Sequence, residues 1–483
     1  MGSDDQKRGK RPVSRRGFLW ASGAAVAGGA LAGCGAPRPE PEAKPEVPPT
    51  SKIPQKPPAE ADTTSEPTTG ATIQRHRVLG RTGFEVSDIG AGCGRITDSA
   101  VVRYLYDHGL NYFDVAETYS NGDSERKIGG AMPHMDRSKI FVTTKLKVKD
   151  EDTEQTLLDR FGKCQERLAT DYVDALYMHA VTDAALVKSE AFHSAVAVLK
   201  ADGRLRHAGI SSHGPREEGQ MKMSEVLLAA IEDGRFDLML LVYNFMKADE
   251  GEQVLAACKE KNIGTTGMKA YAGQLELEPF DPESPSEDHQ RWIDILVQRG
   301  KTREEAVAHI QKRMEARAAE IAEQKPTVDA FMAEHGATSQ LELDQASIQW
   351  VLRNPEMHTV CVAMPDFDRA AQILPLSGTE LSASGARLLH DYARAFGNRY
   401  CRHGCDTCLG SCPRGVPVST VMRYAYYFNH GGRERYAMER YARLGGKSGD
   451  ACLECDAPCE RACPYGVAIQ ASLSRVHAML TLA

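Results

Sequence analysis

Eight of the thirteen cysteines fall into two short runs. Cys401, Cys405, Cys408 and Cys412 stand as C-x3-C-x2-C-x3-C-P, and Cys452, Cys455, Cys459 and Cys463 as C-x2-C-x3-C-x3-C-P. Four thiolates crowded together are soft ligands that suit iron–sulfur clusters or zinc. In an oxidising compartment they could instead close as disulfides. Zinc knuckles usually place two pairs either side of a long spacer, so the crowding favours iron and sulfide. A second reactive group is scattered along the chain. Asp114, Lys145 and His179 each lie at the end of a short apolar run, and Tyr119 follows Asp114 by five residues. A tyrosine near pKa 10 is a poor acid at neutral pH. A nearby lysine cation lowers it, and a carboxylate holds the lysine in place. Such a tyrosine can pass a proton to a carbonyl oxygen as hydride arrives at carbon, and a histidine beside it can hydrogen-bond the same oxygen.

Residues so far apart meet only if the fold gathers their strand ends. Eight apolar runs alternate with stretches of helical period: Val86–Ala91, Tyr112–Val115, Ile140–Thr144, Val173–Met178, His207–Ile210, Leu238–Tyr243, Ile263–Met268 and Val360–Met364. Helical candidates between them include Glu154–Leu168, Ala185–Lys200, Glu225–Ile231 and Glu252–Lys261. The pattern predicts an α/β fold, a (β/α)8 TIM barrel over residues 74–395, with a doubly wound open sheet as the rival. In such a barrel the C-terminal strand ends share one face, which carries the active site. Residues 274–337, mostly polar or charged, read as a helical insertion with a long helix over Thr302–Gln324. It is expected as a solvated surface helix, with a substrate lid as the alternative. Residues 396–483 read as a small, mainly helical metal-binding domain, with tyrosine-rich helices over Val416–Phe428 and Glu434–Leu444.

Composition narrows the function classes. The chain has 483 residues, 42% of them apolar, enough for a large core. No apolar run reaches the about 18 residues of a spanning helix, which excludes a polytopic membrane protein. A formal net charge of -7 argues against nucleic acid as a partner. The first 34 residues form an address. Lys7, Arg8, Lys10, Arg11, Arg15 and Arg16 precede a Gly/Ala-rich stretch, and Ser14-Arg15-Arg16-Gly17-Phe18-Leu19-Trp20 resembles a twin-arginine export signal. Leu31-Ala32-Gly33-Cys34 resembles a bacterial lipobox, which implies lipidation of Cys34. Residues 35–73 hold ten of the 24 prolines and no aromatic residue. They cannot bury enough apolar surface to fold, and read as an extended, disordered tether. The expected location is therefore the periplasmic side of a membrane, with the lipid as the only anchor.

The middle of the chain resembles the aldo-keto reductases from about Arg77 to Leu374. The resemblance is carried by Leu79-Gly80-Arg81-Thr82-Gly83, by Asn111-Tyr112-Phe113-Asp114 with Tyr119 and Ser124-Glu125 beyond, by Thr143-Thr144-Lys145, and by Tyr177-Met178-His179. It implies Asp114, Tyr119, Lys145 and His179 as a catalytic tetrad and a small carbonyl or alcohol substrate, with a sugar-like compound as one candidate. It also implies NADP(H) across the barrel mouth, held by Ser211, Ser212, Tyr243, Asn244 and Arg369. The match there is partial: Leu240 and Met268 replace an expected Gln and a stacking aromatic, and Gln372-Ile373 replace an acidic-amide pair. Gly90-Ala91-Gly92-Cys93-Gly94 lacks the spacing of a dinucleotide fingerprint. The two cysteine runs, each closed by Cys-Pro, resemble the bacterial two-cluster ferredoxin pattern. That resemblance implies two [4Fe–4S] clusters, with Cys412 and Cys463 each ligating the cluster of the other run, and a redox partner protein. Some aldo-keto reductase relatives carry such a region after the barrel. The expectation is an exported carbonyl/alcohol oxidoreductase. The alternative is an electron-transfer lipoprotein with a degenerate barrel that does not use nicotinamide.

Overall fold

The computed structural model describes residues 72–483, apart from 218, 272–279, 286, 299, 338, 400, 431–432 and 482–483. The export segment 1–34 with Cys34, and the tether but for Thr72 and Ile73, lie outside the described residues.

Ten strands are described: β1 (His76–Val78), β2 (Glu85–Ser87), β3 (Ile89–Gly92), β4 (Tyr112–Asp114), β5 (Phe141–Leu146), β6 (Val173–Met178), β7 (Leu205–Ser212), β8 (Leu238–Val242), β9 (Gly264–Met268) and β10 (Thr359–Val362). The last eight close a barrel in the order β10-β3-β4-β5-β6-β7-β8-β9, every neighbouring pair parallel. The strands are buried along nearly their whole length, as parallel strands between a packed interior and a helical shell must be.

One predicted strand divides. Val86–Ala91 supplies both β2, which pairs antiparallel with β1, and β3, the first barrel strand. The break falls at Asp88, whose buried carboxylate accepts from Ser377 Oγ (2.6 Å) and Gly378 N (2.9 Å). The β1–β2 hairpin plugs the N-terminal end of the barrel. Leu79 and Val86 pack there with Tyr112, Phe141 and Leu238. Gly80 takes a left-handed φ of 49°, and a Cβ there would collide with the backbone of Gly264.

The outer helices follow their apolar spacing. In Glu154–Leu168, Leu157, Phe161, Cys164 and Leu168 form one buried stripe, and Thr153 caps the start through a reciprocal bond with Thr156. The insertion holds two helices, Glu287–Gln298 and Arg303–Glu334, joined by a small core of Ile293, Ala306 and Ile310. Thr302 caps the longer one as the sequence suggests, but the helix runs ten residues past Gln324, through Pro326. Beyond the barrel's last helix, Ala383–Phe396, the cysteine-bearing region has a second core. Val416, Val421, Tyr424, Tyr427, Tyr441, Ile469, Leu473 and Val476 pack there with Cys408, Cys452 and Cys459. Its main helices are Val418–His430, Glu434–Ala442 and Ile469–Leu480. No described helix is long and apolar enough to cross a membrane.

Candidate active site

The C-terminal strand ends bring Asp114, Tyr119, Lys145 and His179 together. Lys145, near the end of β5, is fully buried. Its ammonium donates to Asp114 Oδ2 (2.5 Å) and to Val115 O (2.8 Å). Asp114 ends β4, and its other oxygen accepts from Thr143 Oγ1 (2.8 Å). The lysine nitrogen lies 5.0 Å from the centre of the Tyr119 ring. That ring meets His179 edge-on at 5.7 Å. A tight turn delivers Tyr119, with Ser120 and Asn121 after it in the left-handed region at φ 48° and 54°. Glu125 braces the same corner by accepting from Thr144 Oγ1 (2.6 Å) and Arg167 Nε (2.5 Å).

The electrostatics are mixed. The Lys145 charge pulls the Tyr119 hydroxyl down more than any other influence. Desolvation, Asp114 and Cys361 together outweigh it, so the net displacement is upward and the resting tyrosine is protonated. Lys145 itself is opposed by desolvation, but Asp114 and Tyr119 more than restore its charge. Burial, then the charges of Lys145, Arg216 and Lys147, lowers His179 to about 3, so its imidazole is neutral at ordinary pH. Burial also raises the barrel thiols of Cys93, Cys164, Cys258 and Cys361, which keeps them protonated and unreactive.

The residues read as nucleotide ligands are not gathered into one clamp. Ser211 Oγ accepts from Ala180 N (2.8 Å) and donates to Met178 O (3.2 Å). Ser212 Oγ donates to Val181 O (2.7 Å) and accepts from Gly214 N (3.2 Å). Both hydroxyls thus brace the loop that carries His179. Tyr243 turns into the layer between barrel and helices, 5.0 Å from the Trp350 ring, and its hydroxyl accepts from Asn354. Asn244 caps its own turn and donates to Lys269 O (3.0 Å). Arg369 pairs with Asp344 at 2.7 Å. Leu240 and Met268 belong to the barrel's inner apolar layer. This set does not fit a ready nucleotide clamp.

The two cysteine runs interleave, thiols of each lying near thiols of the other. After burial, Cys401 is raised to about 12 by Cys405, Cys408 and Cys463. Cys408 is raised to about 11, again by burial first and then by Cys405, Cys459 and Cys463. Cys452, also raised to about 11, has Cys459, Cys412 and Cys455 as its thiol neighbours. Cys401, Cys405, Cys408 and Cys463 line one small cavity with Val467 and Ile469. Gln470 Nε2 bonds the carbonyls of Cys452 (3.0 Å) and Cys455 (2.5 Å) in the second run. All twelve described cysteines are free thiols. Among the described residues, no three His, Cys, Asp or Glu side chains converge as the ligands of a single metal ion. A cavity of about 470 Å³ separates the barrel loop 245–250 from this region and reaches Cys405, but none of the tetrad.

The strand-end rule that picks out the tetrad also points to residues left aside in the sequence reading. His213 follows β7 directly, Arg216 lies three residues on, and Lys269 follows β9 directly.

The signature of the aldo/keto reductase family matches residues 95–390. The chain is 23% identical over 268 residues to "Probable aldo-keto reductase 1" of Glycine max, covering 50% of this chain and 74% of the relative. It is 24% identical over 227 residues to "D-threo-aldose 1-dehydrogenase" of a Pseudomonas species, covering 40% and 66%. It is 27% identical over 225 residues to "L-galactose dehydrogenase" of Arabidopsis thaliana, covering 43% and 68%. Among solved structures, an aldo-keto reductase of Bacillus halodurans in its holo form aligns at 18% identity and a TM-score of 0.45, covering 66% of this chain and 97% of that one.

Proposed function

The chain belongs to the aldo/keto reductase family and is an oxidoreductase acting on CH–OH and C=O groups, and on that footing we propose how it works. The reaction is carbonyl/alcohol interconversion on a small substrate, of the sugar class named for two of its relatives. One observation carries the reading: a buried ammonium 2.5 Å from a carboxylate, with a tyrosine and a neutral histidine at its side. Tyr119 delivers its proton to the carbonyl oxygen as that oxygen gains charge, and Lys145 stabilises the tyrosinate left behind. Asp114 fixes Lys145, and the neutral His179 steers the oxygen by a hydrogen bond. A protonated resting tyrosine readies the site for reduction. A hydride donor supplies the electron pair. The nucleotide-assigned residues are already engaged within the protein, so no step is routed through them.

The two cysteine sets would hold two [4Fe–4S] clusters, each passing one electron at a time to a redox partner protein. Cys401, Cys405, Cys408 and Cys463 form one set and Cys412, Cys452, Cys455 and Cys459 the other. The mutual influence of thiols across the two runs and the cavity lined by the first set support this grouping. Twin-arginine export and anchoring through Cys34 complete the proposal and rest on residues 1–34 alone.

A second reading, an electron-transfer lipoprotein with an inert barrel, is favoured by the engaged Ser211, Ser212, Tyr243 and Asn244. Anaerobically purified protein tests both. Reduction of aldehydes or sugars by an added hydride donor is expected, with NADPH tried among the donors, along with about eight iron and eight sulfide per chain. Iron and sulfide without NADPH binding or turnover would leave the second reading. Zinc alone, or paired disulfides, would overturn the clusters. Release from membranes on Cys34→Ser tests the anchor.

A further inference from the structure

Around the tetrad, several cationic side chains gather. Lys269 extends from the end of β9, is reached by solvent, and feels the charges of Arg423, Arg216 and Arg95. His213 feels Lys269, Arg216, His179 and His403, and its Nδ1 is buried without a protein partner. Arg216 also acts on His179 and so links the cationic group to the catalytic one. Arg423 comes from the helix Val418–His430 of the cysteine-bearing region. Its guanidinium lies 4.6 Å and 4.8 Å from the ring centres of Tyr426 and Tyr427, which fix it without neutralising it. His403, from the same region, rests against Gly214 beside His213.

Described carboxylates at this end are committed elsewhere: Asp114 to Lys145, Glu117 to Arg160, and Glu217 to Arg440 and Tyr436. Lys269, Arg216 and Arg423 form no ion pair with any described residue. Lys269 is also strained: it is not glycine, yet it holds φ 56°, with its carbonyl pinned by Asn244. Like charges and strain concentrated beside the C-terminal strand ends weaken a fold unless a ligand of opposite sign is to be met there.

We propose that the barrel mouth takes a carbonyl or alcohol substrate bearing an anionic group, a carboxylate or a phosphate, and that the cysteine-bearing region completes this site with Arg423. The proposal rests on the catalytic reading above and adds the substrate class. The anion lies against Lys269, Arg216 and Arg423 while its carbonyl faces Tyr119 and His179. The C-terminal region then has a second task beside its clusters, as a wall of the substrate site.

The test compares matched pairs on the holoprotein: glucuronate with glucose, glyoxylate with glycolaldehyde, and glyceraldehyde 3-phosphate with glyceraldehyde. Binding is measured by calorimetry, turnover separately, and NADPH affinity by fluorescence. At least one anionic member should bind about ten- to a hundredfold tighter than its neutral counterpart, with the preference shrinking as salt rises. Lys269→Gln and Arg423→Gln should each remove most of that preference and leave NADPH affinity unchanged. Lys269→Gln lies on the barrel and keeps the test alive if Arg423→Gln disturbs the C-terminal fold. No preference in any pair, or a preference unchanged in both variants, overturns the proposal. So does a loss of NADPH affinity alone, which would assign the cations to the nucleotide's phosphates. Charge-selective binding without turnover would retire the catalytic reading and leave the anion site standing. Equal turnover of neutral and anionic partners would do the reverse.

Discussion

The two ends of the barrel treat charge in opposite ways. At the N-terminal end, three carboxylates sit at or near strand starts, and each is fully engaged. Asp174 accepts from Arg137 Nη2 (2.7 Å), Arg206 Nη1 (3.0 Å) and Val142 N (2.9 Å). Asp237 faces Lys200, His207 and Ala208 N, and Asp88 faces Ser377 and Gly378. At the C-terminal end, Lys145 is paired but Lys269, Arg216 and Arg423 lack a counter-ion among the described residues. Matched charge at one end holds the hairpin plug and strand register. The cations without a described partner at the other end are, on the proposal above, kept for a substrate's anion. This is the division of labour expected of a barrel whose bottom face serves stability and whose top face serves function.

The largest effect that separates the two ends is on rate. Tyr119→Phe removes one oxygen from the top face and should lower carbonyl turnover about 10²–10⁴-fold. The unfolding free energy should stay within about 0.5 kcal/mol, because the ring still packs. Full activity in that variant would remove Tyr119 from the mechanism. The matching change at the bottom is Asp174→Ala, which leaves Arg137, Arg206 and a buried Val142 N–H without their acceptor. It should cost about 3 kcal/mol in denaturant unfolding, while the folded fraction turns over normally. A loss of kcat with unchanged stability would contradict the division.

Acid should attack the two ends in different windows. Burial first, then neighbouring cations, depresses His179 and His213. The unfolded chain binds those protons below about pH 6.5 and the folded chain does not. Stability therefore falls as pH drops from about 6.5, by up to about 1.4 kcal/mol per unit for each histidine, toward the His179 value of about 3. Asp237 behaves oppositely in position. Desolvation would raise it, but His207, Ala208 N and Lys200 together hold it at about 2. Its stabilisation is complete above about pH 3.9 and fades only below that. Urea titrations between pH 7 and 4.5 should show the decline, and His213→Gln should flatten it. An unchanged slope in that variant would mean that His213 is protonated in the folded state.

These contrasts also mark what the sequence could and could not reveal. Asp114, Lys145 and His179 were legible because each lies at a strand end and strand ends share a face. The start of the long insertion helix was legible at Thr302, which the structure shows capping it. The end of that helix was not, since Pro326 removes one donor without stopping the helix. Val86–Ala91 reads as one strand because Asp88 looks like a polar interruption, and its partners lie nearly 290 residues away. Ser211, Ser212 and Tyr243 were assigned as ligands through the family resemblance alone, but their hydrogen bonds go to loops and helices that no local pattern names. Arg423 comes near Lys269 only through docking of a second core, which spacing cannot encode.

The smallest of these effects probes how the top face is braced. Ser211 is fully buried and bonds on both sides of His179, receiving Ala180 N–H and donating to Met178 O. Ala180 holds a left-handed φ of 56°, a conformation that a non-glycine residue keeps only when its surroundings impose it. Ser211→Ala removes the acceptor and leaves the Ala180 N–H without its partner. The stability loss should be about 1 kcal/mol. The informative readout is kinetic. If Ser211 positions the His179 loop, kcat should fall several-fold with little change in KM, and Ser211→Thr, which restores a hydroxyl, should recover part of it. If Ser211 instead touches a nucleotide, Ser211→Ala should weaken NADPH affinity and leave single-turnover rates at saturation unchanged. The first outcome would extend the brace from the barrel wall to the catalytic histidine, and the second would return Ser211 to the cofactor.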